Sequence, residues 1–404
     1  MFTIQPDLRF SSFKDQWEKT VLGDISKRPM YGLGASAVVF NNNDVYVRIT
    51  DIEDKSRKLM SRNFTSPSIV NEKYLLKDKD ILFARTGAST GKTYIHENYE
   101  MKYDYYFAGF LIKFEILKSY YPDFIYQYTL TNSYKNWVKV MSVRSGQPGI
   151  NSEEYSKLKL NIPRYEEQKK IGDFFSKLDR QIELEEQKLA KLEEQKKGYM
   201  QKIFSQELRF KDENGNTFEE WKNTNFNYFM SEPDNLEKGI DLRKDQLLTV
   251  KLGGNGVSKA NINRALKMGS TVYYKRFAGQ FIYGKQNFFN GAFGIVPKFL
   301  NNYYSSGDVP ALNIDYSKID SKYFINYISR KDYYKKKEAF STGTGSKRIH
   351  EKTLLDFDIM LPSVEEQEKI GDFFSEIDNF IEKQSYKVEL LKERKKGFLQ
   401  KMFV

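Results

Sequence analysis

Gly87-Ala88-Ser89-Thr90-Gly91-Lys92-Thr93 is the stretch of this chain that comes nearest to a chemical motif. A phosphate-cradling P-loop needs four residues between its glycines and a helix opening behind its lysine. Here three residues intervene, and the following Thr93–Tyr99 stretch reads as strand. Nucleotide binding is therefore not expected. A turn rich in glycine and hydroxyls between two strands instead suits contact with a nucleic-acid backbone or base edges. Its candidate contacts are Arg85, Thr86, Ser89, Thr90 and Lys92. A second polar loop offers Arg144, Ser145 and Gln147, and arginine and glutamine can pair bidentately with guanine and adenine. Other catalytic equipment is sparse. With no cysteine there is no thiolate nucleophile, disulfide or thiolate zinc site. The two histidines, His96 and His350, lie in different halves without an array of acids, and are read as surface residues. No Pro-Pro-Tyr methyltransferase motif and no Gly-x-Gly-x-x-Gly cofactor loop occurs. No catalytic residue, metal ligand or bound cofactor is expected.

The elements that carry these loops come twice. Residues 163–204 and 362–403 align at a constant shift of 199, with 23 identities over 42 positions. Leu8-Arg9-Phe10 returns as Leu208-Arg209-Phe210, and Trp17 has a counterpart in Trp221. Residues 81–95 line up with 281–295, and 142–150 with 341–349. The second copy thus adds the candidate contacts Lys285, Gln286, Asn287, Asn290, Thr344, Ser346, Lys347 and Arg348. The organisation read from this is a globular part (1–162), a helix (163–204), a second globular part (205–361) and a C-terminal helix (362–404).

Each helical stretch carries a 3-4 apolar spacing, the mark of a coiled-coil seam. The seam runs Leu178, Ile182, Glu185, Leu189, Leu192, Lys196, Tyr199, Ile203 in the first copy. In the second it runs Ile377, Ile381, Gln384, Val388, Leu391, Lys395, Phe398, Met402. Pro163 and Pro362 precede the acidic pairs Glu166-Glu167 and Glu365-Glu366, a sensible helix start given the dipole. About 38 residues make a rod of roughly 55 Å. If the rods pair antiparallel and polar seam residues face each other, Glu185 lies opposite Lys395 and Lys196 opposite Gln384. Partner numbers then total 580. The globular parts read as α+β, with strands at 45–49, 80–84, 93–95 and 107–114 and helices at 123–128 and 323–328.

Charge follows the same division. The globular parts carry +5 and +6, the helices +1 and −1, and together these make +11. Gln246–Gly307 holds no carboxylate but eight cations: Lys251, Lys259, Arg264, Lys267, Lys275, Arg276, Lys285 and Lys298. Phe124–Ser152 likewise lacks acids and carries Lys135, Lys139 and Arg144. Removing carboxylates locally is what a surface facing phosphates requires. No run approaches a membrane span, and the first residues show no basic patch followed by an apolar stretch, so a cytoplasmic protein is expected.

Two divergent basic parts joined by two near-identical rods resemble the specificity subunit of type I restriction–modification enzymes. IPRYEEQKKIGDFFSKLD, LPSVEEQEKIGDFFSEID and DILFARTGASTGKT carry the resemblance, which covers the whole chain. It implies two target recognition domains, each reading one part of a bipartite site on double-stranded DNA. It also implies an antiparallel coiled coil with an internal pseudo-two-fold repeat, docking two modification subunits and, through them, restriction subunits. S-adenosylmethionine, ATP and magnesium would belong to those partners, in a complex that methylates adenine and cleaves DNA for host defence. The Lys285–Gly294 loop departs from the first copy, so contacts transfer less directly there. The rival readings are a coiled-coil DNA adaptor without sequence readout and a stand-alone nuclease.

Overall fold

The computed structural model describes residues 5–60, 63–97, 102–144, 146–261, 271–343 and 346–404. The chain divides into two compact units, one of residues 1–187 with 385–404, the other of residues 188–384. The division falls inside both long helices, so each unit owns one half of each rod as well as a globular part.

In the first unit, β1 (Glu18–Val21) pairs antiparallel with β6 (Lys159–Ile162), the strand that leads into the rod. The central sheet is antiparallel in the order β2-β5-β3-β4, from Met30–Tyr31, Leu111–Phe114, Ile81–Ala84 and Thr93–Ile95. Every residue of β3 and β5 is buried, so neither alternates; β3 reads as a continuous apolar run, and the one charge in β5, Lys113, is paired with buried Asp80 at 3.0 Å. The run at 107–114 is not one strand, however. It ends a parallel pair at Phe107, turns through Ala108-Gly109-Phe110, and re-enters the central sheet at Leu111. Helices α1 (Pro122–Tyr128), α2 (Asn132–Met141) and α3 (Ser152–Ser156) cover one side. Pro122 at the first turn starts α1, while Thr131 caps α2 by accepting from Tyr134 N–H.

The second unit repeats this plan. Strands β7 (Lys222–Asn225) and β12 (Asp358–Leu361) pair antiparallel ahead of the rod. The sheet order is β8-β11-β9-β10, from Met230–Ser231, Ala311–Ile314, Phe281–Tyr283 and Phe293–Ile295. Helices α5 (Ser321–Ile328), α6 (Lys331–Lys336) and α7 (Glu351–Leu355) take the places of α1, α2 and α3.

The long helices are α4 (Tyr165–Phe204) and α8 (Val364–Lys401). Their most repeated letters fasten helix to globular part. Glu167 is buried and receives a bidentate bond from Arg9 at 2.7 Å; Glu366 receives Arg209 at 2.7 and 3.2 Å, plus Trp221 Nε1 at 3.1 Å. Gln168 accepts from Tyr121 N–H and donates to the Pro163 carbonyl, and Gln367 does the same with Asp320 and Pro362. A Cβ on Gly172 would stand 2.7 Å from the Tyr121 ring, and one on Gly371 2.5 Å from Asp320 Oδ1. Only glycine lets the rod approach so closely. The repeated motif is therefore a rigid mount, which a reading head with defined geometry requires.

Within the first unit the rod halves run antiparallel. Asp179 pairs with Lys395 at 2.6 Å, Glu185 with Lys387 at 2.9 Å, and Phe174 meets Phe398 edge-on at 5.1 Å. Leu178, Ile182 and Leu391 form one buried cluster. Within the second unit Lys196 pairs with Asp378 at 2.6 Å, and Tyr199 meets Phe373 at 5.1 Å. These partner numbers total 572 to 574, not 580, so the register is about one heptad away from the one in which polar seam residues face each other. Glu185 and Lys196 do not need polar seam partners. Their charges are met by Lys387 and Asp378, each flanking the seam, which leaves the apolar positions free to choose the packing. Of the sixteen seam residues, all but Tyr199 are buried or half-buried.

Candidate nucleic-acid interface

At one end of the first unit's sheet, β3 leaves, β5 enters, and two polar loops meet. Thr86 bridges to Gly149, Gly87 N–H donates to the Pro148 carbonyl, and Ile150 N–H donates to the Arg85 carbonyl at 2.9 Å. The sequence candidates at 85–92 and 144–147 are thus one surface. The loop turns at Gly91 in the left-handed region (φ +85°), where a Cβ would strike Val138 of α2 at 2.4 Å. Its N–H and carbonyl are held by the hydroxyls of Tyr155 and Tyr134. A short turn over Gly87–Ser89 followed by a strand leaves no helix N-terminus to cradle a nucleotide phosphate.

The structure sorts the candidates by what already occupies them. Arg85 has no carboxylate partner among the described residues; its guanidinium lies over the Tyr31 ring at 4.9 Å. That stacking holds the side chain in place without neutralising it. Gln147 is exposed, with its amide beside Gly87, while Thr86 and Ser89 are half-buried. Thr90 spends its hydroxyl on the Gly87 carbonyl at 2.7 Å. Lys92 leaves the set: it is buried, donates to the Ile52 carbonyl at 2.8 Å and to that of Ile49 at 3.4 Å, and is paired with Asp54. That contact holds the Asp54 carboxyl below its usual range. Arg144 is also engaged, its Nη2 donating to both Glu154 oxygens at 2.5 and 2.6 Å and its Nη1 to the carbonyls of Met141 and Val143. Ser145 lies outside the described residues. Lys135 and Lys139 stand exposed on the carboxylate-free α2.

The second unit has the same frame with other side chains. Ile349 N–H donates to the Lys285 carbonyl at 2.9 Å, as Ile150 does to Arg85. Lys285 is paired with Glu351 at 2.8 Å, Lys347 with Glu338 at 2.8 Å, and Arg348 reaches Asp308 at 3.5 Å. Asn290 accepts from Lys335 and donates to Asn287. Lys251 and Ser346 are exposed and Gln286 half-buried. Within the acid-free run, Lys259 lies over Tyr303, Lys298 is exposed, and Lys275 is held by Glu237. Arg276 is buried against Ser305 and the Val309 carbonyl, and burial pushes its guanidinium down to about 10. Thr344, Arg264 and Lys267 lie outside the described residues.

His96 is not a surface residue. It is buried, with Nδ1 against the Tyr94 hydroxyl at 3.1 Å and no partner for Nε2 among the described residues, and burial pushes it down to about 4. Tyr31 and Phe110 stand beside Arg85 at this loop cluster, yet neither lies in a polar loop motif. Phe110 is 61% exposed beside Arg85, whose N–H it accepts at 3.1 Å. Nothing within the apolar run FAGFLI marks it as turned outward. Among the described residues no group of three or more metal-ligating side chains is assembled, and no helix is long and apolar enough to cross a membrane.

The family model described as the type I restriction modification DNA specificity domain matches this chain twice, over residues 14–194 and 210–390. The type I restriction enzyme MjaVIII specificity subunit of Methanocaldococcus jannaschii is 24% identical over 81% of this chain and 79% of its own. The StySPI specificity subunit of Salmonella potsdam is 21% identical over 80% and 73%. Among solved structures, the S subunit of a type I restriction-modification system from M. genitalium superposes with a TM-score of 0.63. Its identity is 14%, covering 99% of both chains.

Proposed function

This chain belongs to the type I restriction–modification DNA specificity family, and from that premise we propose how it works. Each globular part reads one half of a bipartite site on double-stranded DNA, and the paired rods dock two modification subunits and, through them, restriction subunits. The chain is itself non-catalytic and acts in the cytoplasm; S-adenosylmethionine, ATP and magnesium are held by its partners. The observation that carries this reading is the duplicated frame. The same strand end, the same loop pair and the same mount on a long helix occur twice, while the side chains at the tips differ. One scaffold holding two different tips is what reading two different half-sites demands. In the first unit Arg85 and Gln147 supply donors that are unengaged among the described residues. In the second, Lys251, Gln286 and Ser346 do so, with the ion-paired cations Lys347, exposed, and Arg348, half-buried, able to exchange a carboxylate for a phosphate.

Methylome sequencing of cells with and without this chain, its modification subunits present, tests the proposal. A two-part N6-methyladenine motif that disappears with the chain is expected. Exchanging residues 1–162 for a relative's should alter one half of that motif only. A motif whose two halves change together would sink the assignment of one half-site to each part.

A further inference from the structure

The frame at the sheet end has one position that faces outward in both units and changes chemical class between them. In the first unit β3 pairs with β5 so that Ala84 faces Leu111, and the next step of the ladder sets Arg85 N–H on the Phe110 carbonyl at 3.1 Å. In the second unit Phe281 faces Leu312, and the same continuation sets Lys285 N–H on the Asp308 carbonyl at 2.9 Å. Phe110 and Asp308 are therefore equivalent by hydrogen-bond register. Both are exposed, Phe110 at 61% and the Asp308 side chain at 51%.

Each is out of place for an ordinary surface. Phe110 is a large apolar side chain at the tip of a turn, beside an arginine that no described carboxylate neutralises and at the mouth of two polar loops. Asp308 is the first carboxylate after the 62 residues of Gln246–Gly307 that have none. A carboxylate in a phosphate-facing region repels the polyanion, and Arg348 at 3.5 Å offsets it only in part. A lone acid at that place is explained if it accepts from a base amino group, as a phenyl ring is explained if it packs on a base methyl.

Resting on the function proposed above, we infer that this position is a specificity determinant: Phe110 reads a thymine through its C5 methyl, and Asp308 reads a cytosine through its N4 amino group. The backbone frame fixes where the contact is made, and the side chain decides which base edge fits. The neighbours support the contrast, since Arg85 stacks on Tyr31 whereas Lys285 is neutralised by Glu351.

The test is methylome sequencing of cells carrying the modification subunits with the unaltered chain, Asp308→Asn or Phe110→Ala. Melting of each variant is checked, and Asp308→Ser and Phe110→Ser stand in should either fail to fold. With Asp308→Asn, preference for a C·G pair at one position of one half-site should fall by about tenfold. The other half-site should be unchanged. Phe110→Ala should relax a T·A position in the opposite half-site. An unchanged preference at every position, with methylation retained, overturns the inference. So does a uniform drop in methylation with the motif intact, because that marks a general contact. If the unaltered chain directs no bipartite motif, the functional proposal itself fails, which is a separate and visible result.

Discussion

Replacing Lys92 by methionine should cost stability and leave DNA electrostatics alone, although the lysine sits in the most phosphate-like stretch of the sequence. Its ammonium is buried and donates to the Ile52 carbonyl at 2.8 Å, with that of Ile49 at 3.4 Å and the Asp54 carboxylate beside it. Methionine keeps most of the stem but leaves the carbonyl acceptors without their donor. A hydrogen bond from a charged donor contributes about 1.5–3 kcal/mol. Asp54 is exposed and adds nothing to this sum. For a unit of this size, about 2 kcal/mol lowers the melting temperature by roughly 4–8 °C. Calorimetry of Lys92→Met should show that shift, and the salt dependence of DNA affinity should keep its slope. Arg85→Ala should behave the other way. Its stacking on Tyr31 contributes only about 0.5–1 kcal/mol to the fold, whereas a guanine contact contributes about 1–3 kcal/mol of discrimination. An unchanged melting temperature for Lys92→Met, with a salt slope shallower by about 0.9, would show that the lysine touches phosphate and would refute the argument from burial.

Two other outcomes follow from named contacts. Double-mutant cycles should find about 0.5–1 kcal/mol of coupling between Asp179 and Lys395, which lie 2.6 Å apart, and none between Glu185 and Lys395; the reverse would restore the register totalling 580. Burial holds His96 at about 4 against an ordinary 6.5, so the unfolded chain binds the extra proton first. Stability is therefore full above pH 6.5 and falls by about 3 kcal/mol as pH drops to 4, and His96→Gln should flatten that part of the unfolding profile. Identical pH profiles for the two chains would show that His96 is not held neutral.

Much of this protein is legible without coordinates. A 199-residue repeat can only build two copies of one architecture, and the proline-and-acid starts with 3-4 spacing can only be long amphipathic helices. That each polar loop has a counterpart in the other half was readable too, because 81–95 recurs at 281–295 and 142–150 at 341–349, but that the two loops of one half meet was not. What tertiary structure decided was partnership. A heptad pattern names the residues on the seam but not how far one helix slides along the other, since Lys387 and Asp378 can neutralise seam charges from beside it. A list of cations likewise does not say which are spent. Arg9 finds Glu167 158 residues away, Lys92 is closed in by a loop some forty residues before it, and Arg85 stays unneutralised because it meets a tyrosine ring instead. The turn at Phe110 was hidden for the same reason. Its neighbours on both sides enter buried strands, so the apolar run looks continuous, and only the ladder shows which residue the turn leaves in solvent. Sequence thus determined the scaffold through local periodicity, whereas the chemistry at its tips was set by contacts between residues far apart in the chain.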